Sequence, residues 1–343
     1  IQYVFAADLN ARPDNRRTLL STYARERGSI LVGQTAVARS VPVDDQFKFQ
    51  REYSNGELYA HVTGSYSFYG ASGGLEQAEN AYLSGSSDKL FYRRVSDLFT
   101  GRRPQGANLE TTLDPAVQRA AVKAMTGIRG AAVALDPKTG AILAMVSQPT
   151  FDPNDLAGHD LSALDENYKK LNTDPQRPLV NRSINGDLYP PGSIFKVITA
   201  AAALSSGEYT EDSMLPGPAV LELPGTTASL PNMFPGACGA NDQVSFTRAM
   251  AISCNTAFAS VGMDIGADAL RAQAEKFGFG DSLSVPMRVT PSTIPAELNM
   301  PQLAQSSIGQ FDVRVTPLQM AMVAAGVAND GAVMKPYLVQ SVI

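Results

Sequence analysis

The sequence holds 343 residues, which at roughly 150 per domain suggests two domains, and its 44% apolar and 18% charged residues are a globular balance. Lys and Arg number 28 against 33 Asp and Glu, a net charge of −5 with a pI near 5.2, which argues against a nucleic-acid binder. Two His and two Cys, neither Cys in a C-x-x-C, cannot build several four-ligand zinc sites. No apolar run approaches the ~20 residues that span a bilayer.

The chain opens on Ile1 rather than Met, so an upstream signal or anchor is expected. Its first hundred residues are polar and rich in Arg, Tyr, Ser and Gly. Short alternating stretches at 47–50 and 58–62 predict small strands with turns rather than one large core. A helix is predicted over 15–26, closing at Gly28. Residues 99–108, with two Gly, a Pro and two Arg, read as a linker, which places a domain boundary at 108.

Past that point Asp114-Pro115 is an N-cap followed by a first-turn proline, and Val117, Ala120, Ala121, Ala124 and Met125 recur at helical spacing. Residues 131–135 and 141–146 flank Asp136-Pro-Lys-Thr-Gly140, a hairpin with its turn. An Ala-rich helix over 192–205 is apolar nearly all round and should be buried. Further helices are predicted over 267–277, stopped at Gly278, and over 318–328, ended by Asn329-Asp-Gly331. Residues 335–343 read as a strand cut in mid-course. Helices mixed with hairpins predict an α+β domain, residues 109–343, behind an extended β-rich one, residues 1–108.

Two segments carry chemistry. In Tyr189-Pro-Pro-Gly-Ser-Ile-Phe-Lys196, Ser193 opens the buried helix and Lys196 lies three residues on, on the same face. A serine hydroxyl is a poor nucleophile without an adjacent base, and lysine can serve once burial lowers its pKa. The helix N-terminus favours negative charge developing at the serine oxygen. Taken alone, S-x-x-K is common and a Ser at a helix start is ordinarily just a cap. Sixty residues on, Ile252-Ser-Cys-Asn-Thr256 sets Ser253 and Asn255 two apart, and an extended loop would turn both toward one cavity. The hydroxyl can relay a proton, and the amide can hold a substrate carbonyl. The pair together fits the active-site pattern of penicillin-binding proteins and class A β-lactamases.

The chain resembles class B penicillin-binding proteins, most closely the actinobacterial penicillin-binding protein A group. The likeness runs through Arg27-Gly-Ser-Ile30, Tyr59-Ala-His-Val-Thr-Gly64, Gly74-Leu-Glu76, Asp136 to Ser147, Phe151-Asp-Pro-Asn154, Asn181-Arg182, both motifs, Ser307-Ile-Gly-Gln310 and Thr316-Pro-Leu-Gln319. It implies a serine β-lactamase-like transpeptidase domain with helices around a sheet, preceded by a non-catalytic pedestal or dimerisation domain. The implied activity is peptidoglycan D,D-transpeptidation through an acyl-serine, with D-Ala-D-Ala stem peptides as substrate and β-lactams as covalent inhibitors. Ser193 is then the nucleophile, Lys196 its base, Ser253 the proton relay and Asn255 a substrate contact. No metal, cofactor or nucleic acid is implied. Expected partners are septal or elongation proteins of cell-wall synthesis, and the expected place is the outer face of the cytoplasmic membrane. A D,D-carboxypeptidase and a largely non-catalytic scaffold are the alternatives.

The family's third motif, a Lys-Thr/Ser-Gly strand, is not reached before Ile343. The resemblance implies that this motif supplies the cation for the substrate carboxylate and the strand amide that completes the oxyanion hole with the Ser193 N–H, and whether it is cut off, disordered or absent stays open. Lys138-Thr139-Gly140 precedes the nucleophile and reads as the hairpin turn. Pro295-Ala-Glu-Leu-Asn299 resembles the β-lactamase omega loop loosely, but its deacylating glutamate would fall on Pro295, which counts against hydrolysis. His61 and His159 lack triad partners, and Asp160, Asp165 and Glu166 read as a solvated surface. Cys238 and Cys254 fit either a disulfide closing the loop between them, worth ~3 kcal/mol, or two buried thiols.

Overall fold

The computed structural model describes Tyr23, residues 25–90 and residues 105–343. The helix expected over 15–26 and most of the linker expected over 99–108 lie outside the described residues. The chain folds as two compact units: unit 1 is Ile1–Ser183, Ser284–Arg288 and Lys335–Ile343, and unit 2 is Ile184–Leu283 and Val289–Met334. By compactness the first unit runs on past residue 108 to Ser183. The reason is pairing: Leu109–Thr111 lies parallel to Ile30–Val32, with Ile30 opposite Leu109, so the chain past 108 stays in the sheet.

That sheet has five strands in the order Val339–Val342, Leu109–Thr111, Ile30–Val32, Thr35–Pro42, Phe49–Tyr53. Ile30, Val32, Ala38 and Leu109 fill one face and are almost wholly buried. Residues 58–62 are not a strand, contrary to their alternation. They belong to the helix Gly56–Thr63, which buries Tyr59, Ala60, His61 and Val62. Nearly all its residues are apolar or enclosed, so neither period stands out, and left-handed Asn55 (φ 53°) turns the chain out of the preceding strand.

The remaining expectations for unit 1 match the fold. Asp114 caps Pro115–Ala124, its Oδ1 accepting from the N–H of Ala116 at 2.7 Å and of Val117 at 3.0 Å. The hairpin Gly130–Leu135 and Ile142–Gln148 turns at Asp136, whose Oδ1 accepts from the Lys138 N–H at 2.8 Å; Lys138-Thr139-Gly140 is that turn. Glu76, fully buried, is gripped by Arg27 Nε at 2.5 Å and Arg51 Nε at 2.7 Å, with Tyr53 Oη donating at 3.1 Å. Burial pushes its carboxyl up, and the Arg51 and Arg27 guanidinium groups outweigh that and hold it below the ordinary range.

Unit 2 is built on the helix Lys196–Ser206, which buries Ile198, Thr199, Ala202 and Ala203 and ends at left-handed Gly207 (φ 77°). Beside it runs Asn255–Lys276, longer than the expected 267–277. The extra turns, with Thr256 to Ala259, Val261 and Gly262 buried, show no single apolar stripe, and Gly266 (φ 83°) breaks their geometry. Gly262 is required by contact: a Cβ there would lie 1.7 Å from Ser307 Oγ. Ser307 in turn accepts at its carbonyl from Thr199 Oγ1 at 2.7 Å, fixing the turn after Met300–Ser306 against the central helix. Pro317–Ala328 completes the set, as expected from its sequence.

Candidate active site

Ser193 stands in a single 3₁₀ turn, Gly192–Phe195, that runs directly into Lys196–Ser206. With three residues per turn, positions i and i+3 eclipse, so the Ser193 hydroxyl lies above the Lys196 stem. The turn is anchored from behind. Gly192 N–H donates to the Gly309 carbonyl at 2.9 Å, and a Cβ on Gly309 (φ 73°) would come within 2.2 Å of the Gly192 carbonyl. Only glycine admits that approach. Ser193 is exposed while Lys196 is 1% exposed, so the hydroxyl faces the solvent and the amine lies beneath it.

The Lys196 Nζ has four oxygen neighbours: Ser193 Oγ at 3.2 Å, Ser253 Oγ at 2.9 Å, the Ser253 carbonyl at 2.7 Å and Asn255 Oδ1 at 2.6 Å. None is charged. Burial alone therefore governs its acidity and pushes the amine down from 10.5 to about 8. An ammonium has three protons for these oxygens; a neutral amine keeps a lone pair for the Ser193 proton.

The Ser-x-Asn segment is not the extended loop expected. Ser253 is left-handed (φ 57°), and Asn255 is the first residue of Asn255–Lys276 with Cys254 as its cap. A non-glycine residue in that region costs on the order of 1 kcal/mol or more, and such strain gathers at functional sites. Here the kink turns both the carbonyl and the hydroxyl of Ser253 onto Lys196. All four residues of the two motifs meet around one nitrogen. Cys254 points away and forms a disulfide with Cys238, Cα to Cα 6.1 Å.

In front of Ser193 opens a cleft of about 530 Å³, lined by Leu223, residues 228–233, Asn255, Gln305, Ile308 and Gln310. Among the described residues that line it, none is ionisable. Sequence reasoning missed Gln305 and the 228–233 wall with its Asn232, because nothing local marks them; Ile308 and Gln310 lay within a segment that carried the family likeness. The other ionisable candidates lie elsewhere. His61 is buried with Nε2 2.7 Å from the Pro178 carbonyl, and burial lowers its pKa to about 4. His159 Nδ1 pairs with Asp45 at 2.6 Å, Asp160 caps Leu161–Thr173, and Asp165 and Glu166 are exposed on that helix. Asn299 closes a capping box with Gln302, and neither Pro295 nor Glu297 lines the cleft.

Residues 130–343 match the model of the penicillin binding protein transpeptidase domain. The chain belongs to the penicillin-binding protein transpeptidase family. Residues 27–109 match the penicillin binding protein A dimerisation domain. The chain is 49% identical to the peptidoglycan D,D-transpeptidase PbpA of Mycolicibacterium smegmatis over 348 aligned residues, 99% of this chain and 70% of that protein. Among solved structures it resembles penicillin-binding protein A of M. tuberculosis as its ceftriaxone acyl-enzyme, with a TM-score of 0.90 and 46% identity over 94% of this chain and 74% of that one. The penicillin G acyl-enzyme of that protein matches at a TM-score of 0.89, with 46% identity over 93% of this chain and 74% of that one. Among the described residues no helix is long and apolar enough to cross a membrane.

Proposed function

We propose that the protein is a serine-type peptidoglycan D,D-transpeptidase in which Ser193 is the nucleophile, Lys196 its base, Ser253 the proton relay and Asn255 a substrate contact. The observation that carries this is the buried Lys196 amine within 3.2 Å of the exposed Ser193 hydroxyl, among neutral oxygens. As neutral amine it takes the Ser193 proton while Oγ attacks the carbonyl between two D-alanines. The tetrahedral intermediate collapses with cleavage of the C–N bond. The proton passes from Lys196 through Ser253 to the departing D-alanine nitrogen, leaving an acyl-serine. An amine of a second stem peptide then attacks the ester carbonyl, the C–O bond to Ser193 breaks, and the amine's proton passes through Lys196 to the Ser193 oxygen.

A β-lactam follows the same first half, but its ring nitrogen stays tethered when the C–N bond opens. Among the described residues the cleft wall carries no carboxylate or imidazole to activate water, which supports a long-lived ester and weighs against β-lactamase activity. The placing of catalysis in residues 109–343 and of assembly in residues 1–108 is supported by the two family models, one over residues 130–343 and the other over residues 27–109. The Cys238–Cys254 disulfide supports an oxidising compartment outside the cytoplasmic membrane, where an anchored enzyme would meet peptidoglycan and the septal or elongation machinery.

Intact-mass spectrometry of the full-length protein with benzylpenicillin tests the assignment. One adduct, stable for hours and mapping to Ser193, is expected, and none on Ser193→Ala. A label retained by the serine variant would discard the nucleophile.

A further inference from the structure

The strand Ser229–Pro231, paired with Val220–Glu222, and the loop after it to residue 239 meet the start of the helix Asn255–Lys276 on two successive rungs. On one, Asn255 Nδ2 donates to the Pro231 carbonyl at 3.2 Å while its Oδ1 accepts from Lys196. On the next, Asn232 Oδ1 accepts from the Thr256 N–H at 3.1 Å. The other end of the Asn232 amide donates to two carbonyls, Pro218 at 3.0 Å and Gly236 at 3.1 Å. Both of its donors and its acceptor are therefore engaged. An amide alone meets this demand, since the site presents an N–H on one side and two carbonyl oxygens on the other. Asn232 also borders the cleft.

We propose that Asn232 is a positioning residue for the acylation reaction: by clamping the loop to Thr256 it holds the Pro231 carbonyl where it orients the Asn255 amide. The inference rests on the reading of Asn255 as a substrate contact. One Nδ2 proton and Oδ1 of Asn255 are spoken for by Pro231 and Lys196, so its remaining proton has a single direction, which suits a substrate carbonyl. Without the clamp, Pro231 is held only by its pairing with Val220 at the strand end, its carbonyl can shift and Asn255 gains rotational freedom, so orientation is lost rather than contact area. The Cys238–Cys254 disulfide still tethers the loop, so the substituted protein should fold.

The test is a double-substitution cycle on the full-length protein, reading the second-order rate of acylation by a fluorescent penicillin. Asn232→Ala should slow acylation about tenfold when Asn255 is present and less than about twofold in an Asn255→Ala background, because residues acting as one unit are not additive. Equal factors in both backgrounds would assign Asn232 a merely structural role and overturn the proposal. Asn232→Asp, nearly isosteric, keeps the acceptor but sets a carboxylate against two carbonyls. It should lose as much as alanine, and full activity would also overturn the clamp. It runs the same cycle if the alanine variant does not fold. Ser193→Ala beside them separates the two questions: label on that variant sinks the nucleophile assignment, whatever the cycle gives.

Discussion

In unit 1 the buried carboxylate of Glu76 lies between two guanidinium groups, whereas in unit 2 the buried amine of Lys196 meets only neutral oxygens. Both are enclosed almost completely, yet the consequences are opposite. Two counter-charges hold Glu76 ionised below its usual range, so it serves as a fixed post for the strands and helix around it. Lys196 has no counter-charge, so burial moves it toward neutrality. A charge that is compensated supports a fold, and one that is left uncompensated is available for proton transfer.

That contrast can be broken by substitution. Lys196→Met should cut acylation about a thousandfold, the scale of a lost general base. It should leave the thermal midpoint unchanged or raised, because an uncompensated buried amine is replaced by an apolar side chain. A marked loss of stability would place Lys196 among the structural charges. Glu76→Gln should do the reverse. It strands two buried guanidinium groups, costs about 3–5 kcal/mol in denaturant unfolding, and spares the chemistry of whatever remains folded.

Smaller effects sharpen the comparison. His61 is held near pKa 4 in the fold against 6.5 unfolded, so between those values the unfolded chain binds more protons. Stability should therefore fall as pH drops from 6.5 toward 4, and His61→Gln should flatten that slope in urea titrations at pH 6.5 and 5. The smallest effect concerns the cleft. With no ionisable residue among the described residues of its wall, penicillins carrying a neutral side chain should acylate a few-fold faster than analogues bearing a carboxylate there, since a charge would be desolvated without a partner. Equal rates would show that the side chain stays in solvent.

Much of the site was legible in the sequence because its chemistry is local. Ser193 and Lys196 share one turn, and Ser253 and Asn255 share another, so each pair shows as a short motif, and the two motifs together with the family likeness marked them. Capped elements such as Pro115–Ala124 and the hairpin around Asp136 were legible for the same reason. What escaped depends on distant parts of the chain. The helix Gly56–Thr63 looked like a strand because a buried apolar stretch shows no single period, and the continuation of the sheet past residue 108 depends on Leu109 finding Ile30. The left-handed Ser253 was invisible since no glycine announces it. Asn232 gains its meaning only when folding brings Thr256, Pro218 and Gly236 around it. The two cysteines left a disulfide and free thiols equally open, and the fold joins them.

The central claim, that Lys196 acts as the base for Ser193, is tested most directly by the pH dependence of the acylation rate between pH 6 and 9.5. At pH 7 an amine with a pKa of about 8 is neutral in about one molecule in ten, so the rate should rise with pH and level off above an apparent pKa near 8. In Lys196→Met the residual rate should lose that inflection. A wild-type rate that is flat across the range, or an inflection that survives the substitution, would contradict the account.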